Sequence, residues 1–483
     1  MKRFRFRSRS LTAAVLLSLG GPATAVQVSA DGLGQALIYP YYTVRTGEGG
    51  AFNTYVSITN ATRDAKALRV RFRESRNGRE VASFNLYLAP NDVWAGALVP
   101  SNAGTRLVSV DTSCVEPVPP AGGLEFSNAA FTDGAGEGLD RTREGYIEVL
   151  EMATLTRLTS VRVTPASTGV PADCPHVNPV AAGDIGPPTG GISGTLTLIN
   201  VADGSDYSVN AEALSELSTR PFFRQAAEPY PAFDAAEIDV VSVITTDDAT
   251  YRSVWSRGLD AVSAALMRVR GESEYVLDFA TASLTEVVLT LPTKPFHMTG
   301  TSASAPFTAA GGWKADPVAC ERGGEKLDIR YFNRGQRGAQ VGWCCFGGQL
   351  PPDAPAMCSA ATTFTVSNGR AHIRSLSGGI TQLGMLALAP VHPAFENGWV
   401  NFGPSPLASG LYTSMTSLPN STRLDATTGA VTTGAHTLYG WPMAGFSMRS
   451  LRNGNLSCGT ATCQGNYGSA FPMKYRRSIS ARP

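Results

Sequence analysis

Three runs decide the fold: NTYVSITN (53–60), KALRVRFRES (66–75) and FNLYLAPNDVW (84–94). In the second, Leu68, Val70 and Phe72 alternate with Arg69, Arg71 and Arg73; in the third, Phe84, Leu86 and Leu88 alternate with Asn85 and Tyr87. In the first, Val56 and Ile58 share a face. Successive side chains of a strand point to opposite faces, so each run presents one apolar row and one polar row. Residues 60–64 (NATRD) and Arg76-Asn77-Gly78 punctuate the runs, the latter with an Asn-Gly pair suited to positive φ. The reading is a meander of three antiparallel strands forming half of an immunoglobulin-like β-sandwich, with the arginine row as its solvated face. Tyr87 lies on the polar side of its strand and Trp94 at the strand's exit, both expected to be capped by neighbouring loops.

The same two-residue period extends outward. GLGQALIYPYYTV (32–44) leads into the first run, and GYIEVL (145–150), GTLTLIN (194–200) and EVVLTL (286–291) follow it. Further on come LDIRYFN (327–333), TTFTVSNG (362–369) and GWVNFG (398–403). Helices are few. Asn210 is placed to cap a short one through Leu217, and Leu259, Val262, Leu266 and Val269 recur at helical spacing within residues 256–270. Residues 417–434 read as a polar, Thr-rich loop. The expected class is mainly β: a β-sandwich over 31–112, a β-rich middle region with long loops and one amphipathic helix over 113–300, and a disulfide-containing β-rich region over 301–483.

The opening residues carry Lys2, Arg3, Arg5, Arg7 and Arg9, then an apolar run from Leu11 to Leu19, then Ala23-Thr24-Ala25. This is the grammar of a secretory signal peptide over 1–25, with an alternative cleavage after residue 30. The formal charge of +1 includes those five basic residues and becomes −4 without them, which leaves no electrostatic footprint for nucleic acid. No later run reaches the length of a transmembrane helix. The expected location is therefore outside the cytoplasm, at the cell surface, in the medium or in the periplasm.

All eight cysteines follow the leader, and an even count in an oxidising compartment predicts disulfides. Spacing suggests Cys458–Cys463 as a tight local loop and Cys114–Cys174 across a long insertion. Two further pairs are expected among Cys320, Cys344, Cys345 and Cys358.

Chemistry is sparse. G-x-S-x-G is missing: residues 191–194 (GISG) and 377–379 (SGG) lack its spacing. His176, His297, His372, His392 and His436 are scattered, without an H-E-x-x-H. The one candidate metal site is DGAGEGLD (133–140). Counted as a calcium loop from Asp133, it places Glu137 fifth, Gly138 sixth and Glu144 twelfth, with Asp140 close by. Ala135 fails the third position, and Arg141 brings a positive charge to the ninth.

Taken together, DGLGQALIYPYYTV (31–44), SFNLYLAPNDVWAGAL (83–98), SGTLTLIN (193–200), VVLTLPTK (287–294), GWPMAGFSMRSLRNGN (440–455) and NYGSAFPMKYRR (466–477) resemble a family of exported proteobacterial proteins of unassigned function. Glu286 departs from it, standing where the family often has an aromatic residue. The resemblance implies export and carries over no catalytic residue. The functional expectation is a non-enzymatic structural or adhesion protein of the cell surface, with protein or glycan partners and possible self-assembly. The alternatives are a secreted hydrolase acting on a polymer and a periplasmic carbohydrate or small-ligand binder.

Overall fold

The computed structural model describes residues 25–47, 49–226, 228, 231–278, 281–299, 302–307, 325–335, 338–340, 356–357, 359–367, 375–379, 386–387, 396–406 and 412–481. Residues 1–24, where the expected signal peptide has its basic and apolar runs, and Cys320, Cys344, Cys345, Cys358, His372 and His392 lie outside them. The chain is mainly β. Its principal strands are β1 (Ala36–Thr43), β2 (Gly50–Asn60), β3 (Ala65–Glu74), β4 (Glu80–Leu88), β5 (Val93–Pro100), β6 (Glu144–Leu155), β7 (Ile192–Asn200), β8 (Ser205–Asn210) and β9 (Glu212–Ser215). After them come helix α1 (Gly258–Leu266) and strands β10 (Leu284–Thr290), β11 (Ala361–Ser367), β12 (Ala444–Cys458) and β13 (Ala461–Pro472).

The decisive runs form a sandwich, but they do not stay in one sheet. β3 pairs with β4, whereas β2 pairs with β5 in the opposite sheet. The chain crosses twice, at residues 61–64 and 89–92, and Asn60 joins the two crossings by donating to Asp64 O at 2.7 Å and Ala89 O at 2.8 Å. An amide side chain that satisfies two loop carbonyls removes two buried acceptors at once. Val56 and Ile58 then face Leu68, Val70, Phe72, Phe84, Leu86 and Leu88 across one apolar core. Trp94 is buried there too, with its ring 5.6 Å from that of Phe84.

Both sheets draw strands from either side of residue 112. One runs β9-β1-β6-β3-β4, placing β6 between β1 and β3; the other runs β5-β2-β7-β8. Asn210 therefore ends a strand instead of capping a helix, and the next residues form β9 against β1. The middle region supplies the largest sheet with its central strand.

The expected solvated face is buried. Arg69, Arg71 and Arg73 are 0%, 8% and 5% exposed. Sequence alternation distinguishes two faces of a strand; it does not say whether distant chain covers the second. Here a second core, containing Phe222, Phe233, Ile238 and helix α1, lies on that face. Arg71 Nη1 donates to Pro231 O at 3.2 Å, and the Arg73 guanidinium sits 4.8 Å from the centre of the Phe296 ring. Tyr87 is covered by Phe223 and donates to Glu116 at 3.1 Å. The helix begins at Gly258 and ends at Leu266, because Met267 and Arg268 leave it to pair with Trp441 and Pro442.

Buried cations need anions, since an unpaired charge in a low-dielectric interior is costly. β6 supplies several: Glu148 pairs with Arg73 at 2.8 Å, and Glu151 with Lys66 at 2.7 Å. Arg71 pairs with Glu80 at 2.7 Å, and Arg69 donates to Asn85 and Ser83 at 2.9 and 2.5 Å. Glu148 is the strand's fully buried carboxylate beside Arg73.

The C-terminal half packs against this assembly and contributes to both cores. β11, β10, β12 and β13 form consecutive strands of a five-stranded sheet, and Val288, Phe446 and Met448 join the sandwich core. Glu286, on β10, is fully buried and accepts hydrogen bonds from Thr365, Ser375, Leu376 N and Ser377. Residues 417–434 are not one loop: Thr422–Asp425 and Val431–Thr433 form a hairpin on the strand Ala249–Val254.

Arg73→Ala removes one partner of a buried pair, so it should lower unfolding free energy by about 3–5 kcal/mol in urea titration. Replacing Arg73 and Glu148 together by methionine should restore most of that loss.

Candidate interaction surface

Each acidic residue of the candidate calcium loop has a place, and arginines hold most of them. Asp133 receives Arg141 through both guanidinium ends, Nη1 to Oδ1 and Nη2 to Oδ2, each at 2.8 Å. Asn77 and Arg79 add bonds at 2.8 and 3.0 Å. Burial works to raise the Asp133 carboxyl, but these hydrogen bonds, Arg141's first, hold it well below the usual carboxylate range. Arg141 also donates to the fully buried Glu74 at 2.9 Å and lies over the Phe131 ring. Asp140 pairs with Arg45 and Arg143, and Glu144 with Arg45 at 3.1 Å while accepting from Tyr41 at 2.7 Å. Glu137 is exposed and contributes its backbone carbonyl to Asn128. The positive charge the loop requires is the ninth-position arginine, and among the described residues no group of three His, Cys, Asp or Glu could hold a metal ion.

Glu74 links this clamp to the turn beyond β3. It accepts from the backbone N–H of Arg76, Asn77 and Arg79 at 2.7–3.0 Å, and Gly78 takes φ 66° within that turn. Two of the expected disulfides are present. Cys114–Cys174 spans a Cα separation of 5.2 Å and Cys458–Cys463 one of 5.8 Å. Among the described residues no helix is long and apolar enough to cross a membrane.

The second of these disulfides closes the tip of the structure's longest hairpin. β13 pairs with β12 along nearly its whole length and stands at the margin of its sheet, with no further strand beyond it among the described residues. Its two faces differ. Asn466 donates to Asp203 O at 2.7 Å, Ala470 packs on the sandwich core, and Gly468 lies against the backbone of Asp206. A Cβ at Gly468 would meet Asp206 O at 2.7 Å, so only glycine permits this approach. The alternate residues Tyr467, Ser469 and Phe471 point away; the two aromatics are 54% and 39% exposed. Arg449, paired across the strands with Ser469, lies 4.1 Å from the centre of the Phe471 ring.

This ribbon offers a partner two kinds of recognition. An unpaired strand margin presents backbone donors and acceptors, and an aromatic row with a neighbouring guanidinium offers apolar area and cation–π contact. Tyr87 and Trp94, the aromatics that sequence alternation singled out, are inside; Tyr467 and Phe471 take the exposed role. Their signal was the alternation in NYGSAF (466–471), small or polar between aromatics. Comparison with models of known families, with curated proteins and with solved structures finds no match.

Arg141→Ala should leave Glu74 and Asp133 without their shared cation and cost about 3–5 kcal/mol, read from chemical denaturation. Adding millimolar calcium, or EDTA, should leave the thermal transition of the wild-type chain where it is. Gly468→Ala should loosen the ribbon from the sandwich, seen as faster amide exchange in β13 with the exchange of β3 and β6 unchanged.

Proposed function

We propose that this chain is an exported protein of the cell surface, structural or adhesive in role, and that it engages an extended segment of a protein partner at the margin of β13. The observation that carries this reading is a twelve-residue strand, Ala461–Pro472, in which Tyr467, Ser469 and Phe471 are exposed while Asn466, Gly468 and Ala470 between them are anchored. At about 3.4 Å per residue such a margin is on the order of 40 Å long, ample for strand addition. By contrast the exposed margin at Val431–Thr433 has three residues. Backbone pairing would supply affinity, and Tyr467, Ser469 and Phe471 would read alternate side chains of the added strand. Two disulfides, and a leader-like start to the sequence, support a location in an oxidising compartment. The anchored inner face keeps the ribbon ordered before a partner arrives, which lowers the entropy cost of binding.

The double variant Tyr467→Ser/Phe471→Ser tests this. It should fold with an unchanged thermal transition, because both side chains are exposed. In the native host, the wild-type chain should appear in shear-released or surface-attached fractions as large assemblies, and the variant should be depleted from them several-fold. A wild-type chain recovered only as a soluble periplasmic monomer overturns the proposal.

A further inference from the structure

A second constellation lies away from the ribbon, where the short hairpin Met298–Thr299/Ser302–Ala303 meets the start of α1. His297 precedes the hairpin and Ser304 follows it, so pairing of the two strands brings them together. The histidine ring is buried, 2% exposed, while Ser304 is exposed. The Ser304 hydroxyl lies 2.9 Å from His297 Nδ1; the other acceptor within its reach, His297 O, is farther at 3.4 Å.

The opposite ring nitrogen is held as well. His297 Nε2 lies 2.8 Å from Ser263 Oγ, and the Ser263 hydroxyl donates to Thr293 Oγ1 at 2.9 Å. Because Ser263 spends its proton on Thr293, its oxygen is left to accept from Nε2–H. That arrangement places the ring proton on Nε2 and the lone pair on Nδ1, facing Ser304. Burial pushes the imidazole down to about 4, against the opposing influence of Asp260, so the ring is neutral at pH 7.

Ser304 opens on a pocket of 210 Å³ whose walls include Trp255, Arg257, Asp260, Met415 and Leu418. Asp260 holds Arg257 through Nε and Nη2 at 3.1 and 2.7 Å. The first turn of α1, which no side chain caps, borders the same space. The pocket thus joins the Ser304 hydroxyl, backed by the buried His297 ring, to an apolar wall and the Arg257–Asp260 ion pair. It is smaller than the cavities that hold drug-sized ligands, which restricts it to a short acyl group.

We infer that Ser304 and His297 form an acyl-transfer site for small carboxylic esters, with Ser304 as nucleophile and His297 as its general base. Ser304 Oγ attacks the ester carbonyl carbon while its proton passes to His297 Nδ1. The carbonyl electron pair moves onto oxygen, facing the uncapped first turn of α1. Collapse of that adduct breaks the bond to the alcohol oxygen, which takes the proton from Nδ1 and leaves acylated Ser304. Water then attacks the acyl group, giving its proton to Nδ1. The second collapse returns that proton to Ser304 Oγ and releases the carboxylic acid. The site is independent of the surface reading and uses none of its residues.

The full chain is treated with p-nitrophenyl acetate, and separately with a fluorophosphonate, and digested for peptide mapping. The expected result is a one-to-one adduct on Ser304 that is lost in Ser304→Ala. His297→Gln should slow adduct formation about 100-fold, and the Tyr467→Ser/Phe471→Ser chain should label like wild type. Should His297→Gln fail to fold, mapping of the wild-type chain and Ser304→Ala decides alone. Absence of an adduct at Ser304, or labelling of the native chain no faster than of the urea-unfolded chain, overturns the inference.

Discussion

The structure depends on one constraint: its largest sheet is covered on both faces while one of its strands carries a row of three arginines. Such a sheet is stable only where acceptors stand opposite the guanidinium groups. β6 meets part of that need, lying beside β3 and bringing Glu148 to Arg73; its Glu151 serves Lys66 on the same strand. The remaining arginines turn to Glu80, Asn85, Ser83 and the carbonyl of Pro231. The position of β6 at the centre of the sheet therefore has an electrostatic as well as an apolar cause. An aliphatic strand there would fill the space and strand the cations.

Charge of this kind recurs at the periphery in a different form. Arg141 joins Glu74 and Asp133, and through Glu74 it fixes the turn between β3 and β4. Asp203 does comparable work for the ribbon, accepting from both Asn466 and Arg452. Polar contacts thus decide how the sheets and loops join, while the apolar cores decide that they form at all. Specific geometry at a junction is what directional bonds provide and non-directional burial does not.

Much of the sandwich was legible because the pattern that specifies it is local. Leu68, Val70 and Phe72 announce a strand face without reference to any other segment, and they line the core as expected. What covers Arg69, Arg71 and Arg73 was not legible, since Phe233 and Phe296 come from sequence positions far away. Asp133 illustrates another limit: an acidic residue among glycines has the same spacing whether a metal cation or a guanidinium binds it. Arg141 was the distinguishing residue. The arrangement of His297 with Ser304 left no sequence signature, because a hairpin and a chain of hydroxyls from α1 and Thr293 create it. The outward aromatics of β13 had an alternating signature, but only the packing of Gly468 and Asn466 says which face is free.

The order of strands in the largest sheet also constrains how the chain comes into being. β1 and β3 emerge early in synthesis, yet the strand that fills the gap between them begins at Glu144, about seventy residues beyond the end of β3. Until then β1 and β3 each lack their common neighbour, and the arginines of β3 lack Glu148. Closure requires contacts between segments far apart in sequence, which form slowly. A nascent chain of this topology remains open over a long stretch of its synthesis. Delayed closure is what a polypeptide needs if it is to be threaded through a narrow channel before it folds.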